Sequence, residues 1–159
     1  MKRARRAVGC AGALLMATAA PLSAACELVL TEHRSGHELR RLNLDTAQPS
    51  VTIAFEHSVL GTTVFDRYVF RPTAVLVEER FEGMGYGLPH AADAGEHLVR
   101  DGERWRLELQ RPVQPLVVRP LPEQNMRLLL DPAPLRLADL SAQAIELTVR
   151  GCAVNEARR

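Results

Sequence analysis

The sequence predicts an all-β fold, a single-domain antiparallel sandwich or open barrel of short strands with little helix. The first observation is period-two alternation, in which Val51, Ile53 and Phe55 share one face and their neighbours the other, as in strands with one buried face. The second is turn chemistry between apolar runs, such as Asp101-Gly102, where glycine accepts the positive φ of a tight hairpin turn. The third is the high density of prolines after residue 110, which suits strand edges and turns rather than helices.

Residues 1–25 have the pattern of a secretory signal peptide. Four basic residues and no acid open the chain, an uncharged run extends from Ala7 to Leu22, and Ser23-Ala24-Ala25 forms a small-residue cleavage site. The run is shorter than the about 20 residues of a comfortable bilayer span, and an uncleaved anchor helix is the alternative. We therefore expect residues 26–159 to form one exported domain, periplasmic or secreted, with no membrane span.

The predicted domain is mildly acidic. Of the 20 Lys and Arg residues, four lie in the first 25 residues, which leaves 16 basic against 19 acidic residues and a net charge of −3. Such a domain is a poor electrostatic partner for nucleic acid or anionic lipid. With 47% hydrophobic and 25% charged residues, the composition also excludes a disordered tail, a collagen-like fibre and a multi-pass membrane protein.

Alternation and turn signals divide the domain into eleven short runs. The one helix-like stretch lies near Ala91–His97 and is short. We expect strands over residues 28–32, 37–44, 51–56, 63–70, 74–81, 96–100, 103–110, 116–119, 126–130, 135–137 and 144–150.

Two cysteines flank this domain, Cys26 at its start and Cys152 near its end. Each adjoins a strand-like run, so pairing of the terminal strands would bring the sulfurs together in an oxidising compartment. The bridge would close almost the whole domain and stabilise it by roughly 4 kcal/mol through the entropy of the unfolded chain. The alternative is a lipoprotein anchored at Cys26, because residues 22–26 resemble a loose lipobox, although Ser23 replaces the usual aliphatic residue. We favour the disulfide.

Catalytic and metal-binding patterns are mostly missing. The sequence has no Cys-x-x-Cys and no His-Glu-x-x-His, so we expect neither metal nor cofactor. His57-Ser58 suggests a hydrolase, but adjacent strand residues point to opposite faces, and no Gly-x-Ser-x-Gly elbow supplies another nucleophile. We therefore expect a polar pair at a strand end, and no enzyme.

An acidic cluster and a glycine-rich segment follow each other closely. By alternation, Glu79 shares a face with the apolar Val75 and Val77, so we expect Glu79 to point inward and Glu78 to point outward. The inward acid is the best single functional candidate, and an ion pair with an arginine is the alternative. Residues 83–89, with alternate glycines, allow a close backbone approach, and their amides could hold a small anion. The alternative is a tight structural turn with Tyr86 packed over it.

The order of these features resembles a known family. A strand ends in His57-Ser58-Val59, a hairpin carries Asp66 on its first arm and Glu79 on its second, and the segment closes in Gly85-Tyr-Gly-Leu-Pro89. This pattern is similar to the bacterial domain-of-unknown-function family 1850, whose specific part would fall on residues 55–89. Asp66 departs from the glutamate usual in that family, and Tyr86 from a small residue.

The resemblance implies a small exported or membrane-anchored β domain that accompanies TRAP-type transporters of the TAXI class. We therefore expect a non-catalytic accessory or interaction module, in contact with a membrane permease or solute-binding protein of a tripartite transporter for small organic acids. The alternatives are a periplasmic hydrolase that uses His57 with Asp66 or Glu79, and an envelope structural protein with no ligand. The expected contact residues are His57, Ser58, Asp66, Glu79, Gly85, Gly87 and Pro89.

Overall fold

A computed structural model of the chain describes residues 26–152 and has the all-β fold expected. The predicted signal peptide, residues 1–25, and residues 153–159 lie outside the described residues. The strands are β1 (Glu27–Glu32), β2 (Glu38–Asn43), β3 (Ser50–Glu56), β4 (Thr63–Phe70), β5 (Ala74–Phe81), β6 (His97–Asp101), β7 (Arg104–Val113), β8 (Val117–Val118), β9 (Arg127–Leu128), β10 (Leu135–Arg136) and β11 (Ile145–Arg150).

These strands form two antiparallel sheets that pack as a sandwich. The large sheet has the order β10-β9-β3-β4-β5-β7-β6, and the small sheet the order β2-β1-β11-β8. The inner faces share one hydrophobic core, in which Leu30 and Leu147 of the small sheet join Ile53, Phe81 and Leu107 of the large one. Since every second strand residue points inward, alternation in the sequence is what supplies this core.

Strand boundaries lie within one or two residues of those predicted, except at the end of β7. This strand continues through Pro112 to Val113, and Pro112 lies opposite Val75 of β5. On its other side β7 pairs with β6 only as far as Glu108. One edge of β7 is therefore open at Pro112, and an open edge tolerates a residue that cannot donate a hydrogen bond.

The prediction of a helix-like stretch near Ala91–His97 is wrong. Gly95 has a φ of 86°, which a right-handed helix cannot include. Glu96 N–H donates to the Asp93 carbonyl at 3.0 Å, and the Glu96 carboxylate accepts from Asp93 N–H at 3.2 Å, so the segment is a closed turn before β6. Helical residues within 26–152 lie in two short 3-10 helices, Pro122–Gln124 and Leu137–Asp139. No helix in that range has both the length and the apolar character to cross a bilayer.

The predicted disulfide joins Cys26 to Cys152. β1 and β11 pair antiparallel, with Glu27 opposite Arg150, which brings the two cysteine Cα atoms to 4.2 Å. The bridged residues are 126 positions apart, and closing so long a loop stabilises a fold by about 4–5 kcal/mol. A sulfur in this bridge cannot also carry a lipid, so the bridge and the lipid anchor are mutually exclusive states of Cys26.

Candidate functional site

Two loops lie together at one end of the large sheet. The hairpin loop, residues 57–62, connects β3 to β4, and the glycine loop, residues 82–88, follows β5. They emerge at the same end because β3, β4 and β5 are antiparallel neighbours. Thr62 Oγ1 donates to the Glu82 carbonyl at 3.4 Å, and a Cβ on Gly83 would lie 3.3 Å from Leu60 Cδ1. The two loops therefore form one continuous surface.

His57 joins the two loops through its ring. Its Nδ1 accepts hydrogen bonds from the N–H groups of Val59 and Leu60, each at 3.3 Å. Its Nε2 lies 3.1 Å from the Tyr86 carbonyl oxygen. The neutral tautomer with hydrogen on Nε2 satisfies all three contacts, because Nδ1 then accepts and Nε2 donates. Both ring nitrogens are therefore engaged by backbone groups.

The glycine loop turns sharply to present that carbonyl. Leu88 N–H donates to the Gly85 carbonyl at 3.1 Å, and Gly85, Tyr86 and Gly87 have φ values of 85°, 55° and 97°. This left-handed region is easy for glycine and costly for tyrosine. The expected tight turn is confirmed. The expectation that Tyr86 packs over it is wrong, because the Tyr86 residue is 73% exposed and its ring faces solvent.

Two of the expected contact residues, Ser58 and Pro89, take no part in the hydrogen bonds between the loops. Ser58 is exposed, and its hydroxyl makes no hydrogen bond to any of residues 26–152. Pro89 is half-buried and follows Leu88, which packs against the core. Pro89 thus follows a residue that is anchored in the core, whereas Ser58 is exposed on the hairpin loop.

Asp66 and Glu79 lie side by side on the inner face of the large sheet. They are direct partners in the β4–β5 ladder, and Ile53 and Leu107 flank them in the same row. Asp66 Oδ1 and Glu79 Oε2 are buried without a hydrogen-bond partner among the described residues. The Tyr68 hydroxyl donates to Asp66 Oδ2 only at a long 3.4 Å. Glu79 points inward as predicted, but it does not share that face with Val75 and Val77, because the register shift between Leu76 and Glu78 interrupts the alternation of β5.

The arginine ion pair expected as an alternative belongs to the neighbouring glutamate instead. Arg80 Nε lies 2.8 Å from Glu78 Oε1, and Arg67 Nε lies 3.8 Å from it. Both pairs are on the outer face of the sheet, since Glu78 and Glu79 point to opposite sides. Within residues 26–152, no arginine lies within ion-pair distance of Glu79.

Burial changes the ionisation of the inner pair. It raises the pKa of Asp66 to about 7, the Glu79 carboxylate adds to that rise, and the Tyr68 hydroxyl opposes it. Burial also raises the pKa of Glu79, with Arg111 opposing and Glu96 adding to the rise. Two carboxyl groups on directly opposite ladder positions disfavour the state in which both are charged, so one of them binds a proton more readily.

The structure does not bring His57 to either acid. The ring of His57 bonds to the backbone of the two loops, whereas Asp66 bonds to Tyr68 on the inner face. The hydrolase arrangement, with His57 oriented by Asp66 or Glu79, is therefore not formed by the described residues. In the same part of the chain, no group of three or more His, Cys, Asp or Glu side chains is placed to hold a metal ion.

The domain of unknown function DUF1850 matches residues 51–137, just over half of the chain. The chain belongs to the DUF1850 family. No curated protein and no solved structure matches it significantly. The DUF1850 match contains both loops, the inner acid pair and all of the large sheet except Ser50, the first residue of β3. The disulfide lies outside the match.

The exposed apolar side chains of the two loops were not predicted from the sequence. Val59 and Met84 are 62% and 40% exposed, and with Tyr86 they are three of the five exposed large hydrophobic residues in the described chain. All three lie on the two joined loops, whereas Val99 and Leu129 lie elsewhere. The available signal was apolar residues inside turn-forming segments, where neither alternation nor helical spacing predicts burial.

Replacing His57 with alanine removes the one hydrogen bond that the ring makes between the loops and the two that it makes within the hairpin loop. We expect the free energy of unfolding to fall by about 1–2 kcal/mol, measured by urea denaturation. Ser58→Ala is the control, because an exposed hydroxyl without a described partner should change stability by less than about 0.5 kcal/mol. Equal effects of the two substitutions would contradict the joining role of His57.

The raised pKa of Asp66 predicts that the folded protein loses stability as pH rises. The folded state keeps a proton that the unfolded chain releases, so the stabilisation is complete below the ordinary value of 3.8 and is lost as pH passes through about 7. Asp66→Asn keeps the shape and removes the titration. At pH 8 this variant should melt about 5 °C above the parent protein, with a melting temperature that varies less between pH 5 and pH 8.

Thermal unfolding followed by circular dichroism at several pH values measures this effect. Glu78→Gln, on the outer face, is the matched control and should keep the parent pH dependence. A parent melting temperature that is constant or rises between pH 5 and pH 8 would refute the assignment.

Proposed function

We propose that this DUF1850 protein is an exported, non-catalytic accessory module that docks on a membrane permease or solute-binding protein of a tripartite TRAP-type transporter, of the TAXI class, for small organic acids. The docking surface consists of the hairpin loop and the glycine loop. The observation that carries the proposal is the exposure of Val59, Met84 and Tyr86 on these joined loops.

The composition of this surface suits a protein partner. Aromatic residues and methionine are enriched at interface cores, and apolar side chains gathered in one place mark interaction sites. A polar rim adjoins them, since Arg104 Nε pairs with Glu82 Oε1 at 2.9 Å. The surface thus combines an apolar centre with a charged edge.

The backbone beneath the apolar side chains is already ordered. His57 contacts the backbone of both loops, and Thr62 adds a further hydrogen bond between them. Binding to a preformed surface avoids much of the entropy cost of ordering loops on association. This supports docking of the loops as they stand rather than folding upon binding.

Export is supported by two independent features. The first 25 residues carry the basic, apolar and small-residue pattern of a secretory signal. Cys26 and Cys152 form a disulfide, and such bonds persist in oxidising compartments. The transporter as partner rests on the resemblance to the family, and it is what the experiment tests.

The test is a pull-down of the tagged full chain from mildly solubilised native membranes, with mass spectrometry of co-purified proteins. The parent chain should recover a permease or solute-binding protein in near-stoichiometric amount. Val59→Ser and Tyr86→Asn should each reduce recovery about tenfold, which corresponds to about 1.4 kcal/mol of binding. Asparagine keeps the Tyr86 carbonyl for His57 and tolerates its positive φ.

Val99→Ser is the matched control, because Val99 is an exposed apolar residue outside both loops, on the edge strand β6 that β7 separates from β5, and its replacement should leave recovery unchanged. Recovery of the parent chain alone, over several detergent and salt conditions, would overturn the accessory role in favour of an envelope structural protein. Full recovery with both loop variants would overturn the docking surface.

A further inference from the structure

We propose that Asp66 and Glu79 form a proton-operated clasp that controls how firmly the two docking loops are held. The effect of the clasp on docking rests on the docking surface proposed above, whereas the clasp itself is tested without any partner. The clasp is closed when one proton lies between the two carboxyl groups, and it loosens when both are charged.

The position of the pair in the ladder connects it to the loops. β4 begins directly after the hairpin loop, and β5 ends directly before the glycine loop. Phe65–Arg80 is the last β4–β5 pair at this end, and Asp66–Glu79 is the next. The clasp is therefore one ladder step from the end at which both loops emerge.

A break in the ladder makes this end a separate segment. The β4–β5 register shifts between Arg67 and Tyr68, and the β5–β7 register shifts between Leu76 and Glu78. Between these register shifts and the loops, β4 and β5 form three residue pairs, Phe65–Arg80, Asp66–Glu79 and Arg67–Glu78. Strand ends beyond a bulge can loosen while the rest of the sheet stays paired.

The surroundings of the pair give little compensation for two negative charges. On its own strand, the Tyr68 hydroxyl reaches Asp66 only at 3.4 Å. From the β6–β7 side, Arg111 attracts Glu79, but its Nη2 already lies 2.9 Å from Glu96 Oε1, and the Glu96 charge repels Glu79. The flanking strands contribute only apolar side chains at this row of the inner face, and the small sheet adds Leu28, Leu30, Ile145 and Leu147 to the same core.

One proton changes the interaction between the strands from repulsive to attractive. Directly opposite side chains on antiparallel strands have Cβ atoms about 4.5–5.5 Å apart, and in the closed clasp one carboxyl group donates to the other across this gap. The O–H then supplies a hydrogen bond to an otherwise unpartnered carboxyl oxygen. When the proton leaves to solvent, two carboxylates face each other in an apolar layer and repel. Since the pKa of Asp66 is raised to about 7, the change falls near neutral pH.

Hydrogen exchange of the full chain tests the clasp directly. Protection of the backbone amides in residues 57–62 and 82–88 is measured from pH 5.5 to pH 8.5 and corrected for the intrinsic chemical rate. In the parent protein we expect protection to fall about tenfold as pH passes through 7. A tenfold change is expected when the pKa of the acid pair is one unit higher in the closed form than in the loosened form. Amides of β1 and β11 should change far less.

Asp66→Asn and Glu79→Gln, two near-isosteric variants, should remove this pH dependence from the loop amides. Glu78→Gln, with its carboxyl group on the outer face, should retain it. Loop protection that is independent of pH in the parent protein, or the same pH dependence in Asp66→Asn, would overturn the clasp. Neither result depends on whether a partner is recovered in the pull-down, so failure of the clasp and failure of the docking proposal are distinguishable.

Discussion

The register of the β3–β4–β5 ladder is the constraint on which the candidate site depends. It sets Ile53 opposite Asp66 and Asp66 opposite Glu79, and it ends the three strands where the hairpin loop and the glycine loop meet. A slip of one residue would send the inner acids to solvent and the outer Glu78 into the core, because strand side chains alternate with a period of two. The two loops and the acid pair are therefore consequences of a single pairing pattern rather than independent features.

Polar groups in this end of the molecule divide into two kinds. The ring nitrogens of His57 bond to backbone atoms alone, and one of these bonds joins the two loops. Asp66 and Glu79 retain oxygens without partners, and leaving a buried acceptor unpaired costs about 1–3 kcal/mol. A fold of this size tolerates such a cost when the group has a use, and functional sites are where consistent local rules are most often broken. The acid pair is thus the strained part of the site, whereas the histidine is the part that joins it together.

Much of the fold could be predicted from the sequence, because period-two alternation and turn residues are local signals. They predicted the strands and, with the positions of Cys26 and Cys152, the disulfide. Strict alternation placed Glu79 on the face of Val75 and Val77, whereas a register shift in β5 places it on the inner face with Leu76. Strand order is not local, so nothing in the sequence showed that β9 and β10 extend the large sheet beyond β3. The acceptor for His57 is a backbone carbonyl, which has no residue signature. Neither the positive φ of Tyr86 nor the exposure of its ring was predicted, because the glycines on both sides indicate a turn without indicating which way the ring points.

In the docking proposal, the joined loops contact a transporter protein through their apolar side chains. Photo-cross-linking in native membranes tests this contact, with a benzophenone amino acid placed at Val59 and, in a matched protein, at Val99, the exposed apolar residue of β6. We expect a cross-link from position 59 to one permease or solute-binding protein, and none from position 99. Cross-linking of the same protein from both positions, or none from position 59, would contradict it.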